Sequence, residues 1–550
     1  MGRLQSISAM RLAAAIRAEL GRDVSAADIF AGWDLDGLRR RVEMAPVLQR
    51  QGPITGNPPA LTAAQRRLWF VDQLAPASAA YNIAMAQRLD GPVDIPRLER
   101  ALARVAARHE VLRWRIPHRD GLPYVEVDLP GPVTLHRTGS PEQAAHRFDL
   151  ATGPLWRAWL TFDNVLVITA HHAIFDGWSE DLLYKDLSRA YETDSDLAPL
   201  ATQFGDYAAW REAQPDTLGW WLDHLKGAPA VLRLPMDFAR PAVQTYRGAI
   251  VRATIAPVGT QELLARWARL MATLSDQDTV VIGAPVADRR LAEFAPLIGF
   301  FVDIVPLRID GALSLPFDQL VEACGEEMLA ALANPAAPLD DIIAGLGLAR
   351  DPARHPLVQT LFNVFNFAPP VLALDGLTVE PVRLGVPGSP FDLTAYLTSP
   401  TEVEIVYNPD LFSEVRIRAL IEAWTTGEPP ADWLRSGVTE TQAFEAPRQL
   451  DKSPLTDTVS EVWREVLGHD GFGLDSNFFE VGGRSLTLAR LQARLAVLGH
   501  AVSLVELFRL PTVRAQAAHL TRPQGNDDRL ERAAARAAVR SQMRRRRSEQ

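Results

Sequence analysis

The chain has 550 residues, 47% hydrophobic and 23% charged, a globular composition with room for roughly three to four domains. With 57 Lys and Arg against 67 Asp and Glu the net charge is −10, the wrong sign for a surface that coats nucleic acid. A single cysteine, Cys324, excludes an internal disulfide, thiolate metal clusters and Cys-x-x-Cys redox chemistry. No apolar run approaches the ~18 residues of a membrane helix, so a cytoplasmic, non-membrane protein is expected.

In chain order, residues 7–20 (ISAMRLAAAIRAEL) carry apolar side chains at helical spacing. Ser25 and Asp34 then open two further short helical patterns, so residues 1–45 read as an all-helical segment. Residues 46–60 hold four Pro and two Gly and read as a linker. From 61 to 435 helix and strand patterns mix. TAAQRRLWFVDQL and PRLERALARVAARHEVL predict helices. NVLVITA (164–170), VVIGAPV (280–286) and VEIVYN (403–408) predict buried strands. A division near 235 predicts two mixed α/β lobes, about 61–235 and 236–435. Residues 436–453 read as a second linker and 454–522 as a small all-α bundle. The tail, 523–550, is basic. Between 526 and 550 it sets eight Arg against four acids, with Arg532, Arg536, Arg540 and Arg544 on one helical stripe. Residues 6–30 and 485–508 resemble each other, with Arg11-Leu12 matching Arg490-Leu491 and Phe30 matching Phe508. One small helical unit occurs at both ends, the first copy partial.

Two motifs carry chemistry. HHAIFDGWS, His171–Ser179, follows directly on the predicted strand 164–170. Adjacent side chains on an extended chain point oppositely. His171 and His172 therefore do not share a metal sphere, and one imidazole can face a cleft while the other packs. Gly177 is expected to allow a tight turn that returns Asp176 to the backbone. The second motif is DSNFFEVGGRSL, 475–486. Gly482 and Gly483 are expected to leave the backbone open to an incoming enzyme. Ser485 opens a predicted helix whose N-terminus favours a phosphodiester, and Phe478 and Phe479 are expected to pack the preceding loop.

The first motif resembles the active-site sequence of condensation domains from nonribosomal peptide synthetases, relatives of chloramphenicol acetyltransferase. Further stretches agree in order: LTAAQRRLWFVDQLAPASAAYNI (61–83), RHEVLRWRI (108–116), FGDYAAW (204–210), IGAPVADRRLAEFAPLIGFFVDIVPLR (282–308), RHPLVQTLFNVFN (354–366) and SPFDLT (389–394). The resemblance implies a mixed α/β fold of two chloramphenicol-acetyltransferase-like lobes forming a V-shaped domain. It implies a site of His171, His172, Asp176 and Gly177. His172 would act as general base or orient the amine, and Gly177 would lend backbone near the reacting carbonyl. Asp176 would be held in a structural ion pair with Arg289, and His171 would pack. The second motif resembles the attachment site of peptidyl carrier proteins, which implies 4′-phosphopantetheine on Ser485 and no metal.

The implied function is condensation between an upstream carrier-bound acyl or peptidyl thioester and an amine tethered to Ser485. Only about 30 residues separate the two segments. That leaves no room for an adenylation domain, so a stand-alone adenylation enzyme would load the arm. The other implied partners are an upstream carrier, a phosphopantetheinyl transferase and a downstream assembly-line enzyme. Ester formation and a non-catalytic scaffold that recruits carriers remain alternatives. Three departures stand out: Asp288 where Gly is usual, Asp303 where Asn is usual, and NPAAPLDD (334–341) in place of a His-Gln-Asp-Leu-Pro-Phe-like run.

Overall fold

A computed structural model describes residues 55–438 apart from 76–77, 142–145, 194, 335–336 and 366–369, then residues 454–521, and parts of 12–47. The basic tail, residues 48–54 of the first linker and most of the second lie outside the described residues, as do Ser6 and the residues before it.

After an N-terminal helix, Leu35–Met44, helix α1 (Ala63–Leu74) starts on Thr62, whose hydroxyl accepts from the Gln65 backbone while the Gln65 side chain returns to Thr62. This reciprocal cap satisfies two otherwise orphaned donors and contributes about 1 kcal/mol. Strand β1 (Asn82–Asp90) and helix α2 (Ile95–Arg108) follow, then β2 (Leu135–Thr138), β3 (Trp156–Thr161), β4 (Val165–His171) and helix α3 (Gly177–Glu192). All seven residues of β4 are buried, because both faces of its sheet are covered. A two-sided strand shows an apolar run instead of alternation. On one face Leu166, Ile168 and Ala170 join the main core, while Val165 and Val167 pack with Trp159 and Val382 on the other. Helix α4 (Phe204–Glu212) closes this lobe.

The second lobe runs through β5 (Ala249–Thr254), α5 (Thr260–Ser275), β6 (Val280–Ala287), β7 (Val302–Ile309), α6 (Phe317–Ala333), α7 (Leu339–Gly345) and β8 (Thr360–Val364). It ends with β10 (Leu393–Ser399), β11 (Glu402–Tyr407) and α8 (Glu414–Thr426). Its sheet has the order β7-β6-β8-β10-β11-β5. Between β8 and β10 the chain sends β9 (Thr378–Pro381) across to the other sheet, where it pairs antiparallel with the edge of β1. The first sheet therefore reads β9-β1-β4-β3-β2. This exchange leaves no local sequence signature, since Thr378–Pro381 pairs with residues almost 300 positions earlier. It stitches the lobes together and caps an exposed edge.

Residues 454–521 form four helices, α9 (Thr456–Leu467), α10 (Ser485–Val497), α11 (Leu504–Arg509) and α12 (Val513–Thr521). Their core is built on Trp463, Phe478, Leu488, Leu491 and Leu507. Trp463 meets Phe478 at 4.9 Å and donates its indole N–H to Gln516 at 2.8 Å. Near the start of the chain, Ala13, Ile16, Val24 and Ile29 form a separate small cluster, and the Arg17 guanidinium donates to the Arg290 carbonyl at 2.9 Å.

Candidate active site

The geometry begins at the end of β4. His171 closes the strand, with its N–H on the Leu155 carbonyl at 2.8 Å. The chain then turns through a short 3-10 segment, His172–Ile174. The His172 N–H donates to the Tyr81 carbonyl at 2.7 Å. The opening helix is tied to the same turn: the Gln65 side-chain amide, fully buried, donates to the Ala173 carbonyl at 2.7 Å. Gln65 lies in a quoted motif but received no role from the sequence, because its partner is more than a hundred residues away.

The two imidazoles have different surroundings. His171 is buried, and its Nδ1 accepts the Ala173 N–H at 3.1 Å. Burial pushes its pKa down to about 3, so it is a neutral packed group. His172 is half-buried, with its ring edge-on to Phe300 at 4.8 Å. Its Nδ1 lies 2.7 Å from the Phe175 carbonyl. A carbonyl can only accept, so the proton sits on Nδ1 and Nε2 keeps its lone pair. Burial lowers the His172 pKa below its ordinary value, against the pull of the Phe175 carbonyl and Asp176. At neutral pH this is an unprotonated imidazole.

Asp176 is almost fully enclosed and caps α3, accepting from the Ser179 N–H at 2.9 Å and the Ser179 hydroxyl at 2.7 Å. Arg289 reaches it through Nη2 at 3.2 and 3.3 Å, and the Phe301 N–H donates to it at 3.2 Å. Arg289 Nη1 donates to the Phe294 and Leu297 carbonyls, and its guanidinium lies 3.7 Å from the Phe301 ring centre. One carboxylate thus fixes the helix start, the β6–β7 loop and the turn bearing His172. Gly177 is the first residue of α3 and does not have positive φ. The expected return of Asp176 to the backbone is present, on the Ser179 N–H, but it is reached without a left-handed glycine. An extended Asp176 leads straight into the helix, and Gly177 needs no special conformation there.

Removing the Asp176 carboxylate leaves Arg289 charged in a buried site, which costs about 3–5 kcal/mol. Asp176→Ala is expected to lower the melting temperature of the condensation segment by several degrees, whereas Asp176→Asn, which keeps the Ser179 cap, should lose less. Differential scanning calorimetry reads this. An unchanged transition in the Ala variant would remove Asp176 from the framework.

The two sequence departures at Asp288 and Asp303 share one cation. Arg211 of α4 lies 3.3 Å from Asp288 and 3.5 Å from Asp303. Asp288 also holds Arg290 at 2.6 Å. Burial raises the Asp303 pKa to about 6, with Arg211 opposing. These acids sit inside the fold as compensated charges.

Ser485 is the first residue of α10, behind Arg484 as the cap. Gly483 is required by packing: a Cβ there would lie 2.3 Å from the Phe478 ring. The expected open approach is therefore corrected to a close one, and only Gly482, at φ +98°, needs conformational freedom. Phe478 is fully buried and Phe479 meets Phe508 at 5.1 Å. The Ser485 hydroxyl lies 2.9 Å from Arg350 Nη1 of the condensation segment. Arg350 is buried, and its Nη2 has no hydrogen-bond partner. A phosphodiester on Ser485 would meet that orphaned donor. The residues present thus fit a 4′-phosphopantetheine arm. Arg350 belongs to none of the quoted motifs, although an Arg amid AGLGLARDP is an uncommon residue to bury.

Around this contact lies a cleft of about 740 Å³, mouth included, lined by Arg67, Tyr246, Asp340, Arg350, His355 and Ser485 among others. A smaller cavity shares Val71 and Tyr246 with it and reaches Tyr81 and His171.

This fold and site define a carrier-dependent transferase architecture. The chain matches the family described as Condensation domain over residues 58–426 and the Phosphopantetheine attachment site over residues 457–520. It belongs to the condensation domain family and ends its described part in a carrier domain. It is 35% identical to a probable non-canonical nonribosomal peptide synthetase, CymA, of Salinispora arenicola over 436 residues, 69% of this chain and 6% of that one. It is 33% identical to phosphinothricin tripeptide synthetase PhsC of Streptomyces viridochromogenes over 68% of this chain and 39% of the relative. The chain therefore spans well under half the length of these curated relatives. Among solved structures, the X-domain in complex with OxyB from teicoplanin biosynthesis is similar at TM-score 0.62 and 26% identity, covering 68% of this chain and 94% of that one. The four-domain synthetase AB3403 shares the fold at TM-score 0.60 and 19% identity, over 78% of this chain and 38% of that one. Among the described residues no helix is long and apolar enough to cross a membrane.

Proposed function

We propose that the chain condenses an acyl or peptidyl thioester, presented by an upstream carrier, with an amine tethered to its own carrier, forming an amide. The observation that carries this reading is the seating of Ser485 on Arg350, in a cleft lined by residues of both the condensation segment and the carrier. Once attached, 4′-phosphopantetheine supplies a thiol on a flexible arm that holds the acceptor. Arg350 anchors the phosphate end. The acceptor amine attacks the donor thioester carbonyl; the new C–N bond forms, the C–S bond breaks, and the donor thiol leaves with a proton. Thioesters are already activated, so positioning supplies much of the acceleration, up to roughly 7–11 kcal/mol in ideal cases. His172 Nε2 is the lone pair available to accept the amine proton, and Asp176 with Arg289 holds the turn that presents it.

Only residues 427–456 separate the two family matches, too few for an amino-acid-activating domain. We therefore place activation outside residues 58–520, and a stand-alone enzyme loading the arm is the reading to be tested. The remaining partners follow from the roles of the two domains: a phosphopantetheinyl transferase, an upstream carrier and a downstream enzyme. The test is intact mass spectrometry of the holo protein with candidate loading enzymes and a donor carrier charged with an acyl thioester. A mass gain on the Ser485 arm equal to the acyl group plus the loaded amino acid supports the reading. If the new bond yields to hydroxylamine under mild conditions, as an ester does and an amide does not, the product is an ester. Loading without transfer would favour a carrier-recruiting scaffold.

A further inference from the structure

The carrier meets the condensation segment through a charge arrangement at the start of α10. The residue directly before the attachment serine is Arg484, and its guanidinium lies 2.5 Å from the Asp341 carboxylate of α7. Asp341 belongs to the NPAAPLDD stretch that departs from the usual pattern. It does not face Arg484 alone. Burial raises the Asp341 pKa, Arg484 opposes the rise, and the neighbouring Asp340 and Asp216 add to it. Asp341 is thus the carboxylate that meets Arg484, while Asp340 beside it turns to Arg350. Behind them stands Arg350, 3.5 Å from Asp340 and aimed at Ser485. The seat is also sterically close: a Cβ on Gly121 would lie 2.4 Å from the Ala489 carbonyl, so α10 rests on backbone of the 118–123 hairpin. That approach brings residue 484 within reach of Asp341 and leaves little freedom to turn it away.

We infer that Asp341 is the element by which this condensation domain selects its acceptor carrier. It admits a carrier with a cation immediately before the modified serine and refuses one with an acid there. This inference deepens the proposed function and rests on it. The selectivity is mainly repulsive. An exposed ion pair contributes only about 0.2–1 kcal/mol, but an acid at 484 would face the Asp341 carboxylate at the distance of the present ion pair, and like-charge juxtaposition across an interface costs several kcal/mol. The wanted partner gains little, and the unwanted one is excluded. Arg350 serves any carrier, because every carrier brings a phosphate; Asp341 distinguishes between them.

The test uses the full chain and charge reversal. Arg484→Glu, Asp341→Lys and the double variant are converted to the holo form, and complete conversion by intact mass shows that each carrier is folded and modified. Condensation is then measured under single-turnover conditions with an acylated donor carrier. Arg484→Glu is expected to lower the rate by about tenfold or more, the equivalent of roughly 1.4 kcal/mol. Asp341→Lys, which sets a cation against Arg484, is expected to lose rate as well. The double variant should recover most of the loss in Arg484→Glu, and raising the salt should shrink the difference between Arg484→Glu and wild type. Equal rates for wild type and Arg484→Glu would overturn the inference, as would losses that add in the double variant without rescue. Absence of product from the wild type would instead count against the proposed function itself.

Discussion

Ser485→Ala protein incubated with coenzyme A and a phosphopantetheinyl transferase is expected to gain no mass, while the wild type gains a single arm. The geometry makes this all-or-none. Ser485 is the residue that the α10 start presents to Arg350, and its hydroxyl is the group that lies at hydrogen-bond distance from that guanidinium. Without it no acceptor can be tethered, so product formation falls to background with every loading enzyme. A companion variant, Arg350→Ala, separates attachment from use. Arg350 lies on the condensation segment, so modification should proceed normally while condensation drops, because the phosphate then has no buried donor to meet. Two arms on the wild type would show that a second serine is modified. The serine at the matching place in the partial N-terminal repeat is Ser6, preceded by Arg3-Leu4-Gln5 in place of a Gly pair. One arm on Ser485→Ala would show that the modified residue is elsewhere.

The sequence was most informative where a function depends on a short run of residues. His171 to Ser179 and the residues around Ser485 are contiguous, and their chemistry could be read from residue types and order. It was least informative where a function depends on approach. Gln65 holding the Ala173 carbonyl, Arg350 under Ser485 and Asp341 against Arg484 each join positions more than a hundred residues apart. No periodicity records such meetings. The same limit explains β9. Thr378–Pro381 is short and holds a proline, and it is a strand only because the edge of β1 is there to pair with it. Two glycines were also misjudged for one reason. A sequence shows that a side chain is missing but not whether conformation or crowding excludes it. Gly177 needs no special φ, and Gly483 is fixed by the ring of Phe478. The departures at Asp288 and Asp303 read as separate oddities in the sequence, yet both face Arg211.

His172→Ala is expected to lower the condensation rate by about 10²–10⁴-fold, the range for loss of a positioned proton acceptor, with holo conversion and melting temperature nearly unchanged. The ring is half-buried and makes its side-chain hydrogen bond to one backbone carbonyl, at Phe175, so its removal should disturb the fold little. The pH profile supplies the sharper reading. An ordinary histidine protonates near pH 6.5, but burial holds His172 below that. As pH falls, its Nε2 lone pair therefore survives past the point where a free imidazole would be lost. An α-amino group, with a pKa near ~8, is protonated first. The wild-type rate should thus fall in the acid direction with the titration of the amine, and a second fall, from His172, should appear only below pH 6.5. In His172→Ala the amine step should remain and the second should vanish. His171→Asn is the control. Asn can place an acceptor where Nδ1 meets the Ala173 N–H, and a group with its pKa pushed down to about 3 does not titrate in this window. That variant should keep both steps and lose rate only to the extent that it loosens the turn. A His172→Ala enzyme within about threefold of wild type, well short of the general-base range, would take His172 out of the proton transfer. The acceleration would then be left to the positioning of the two arms.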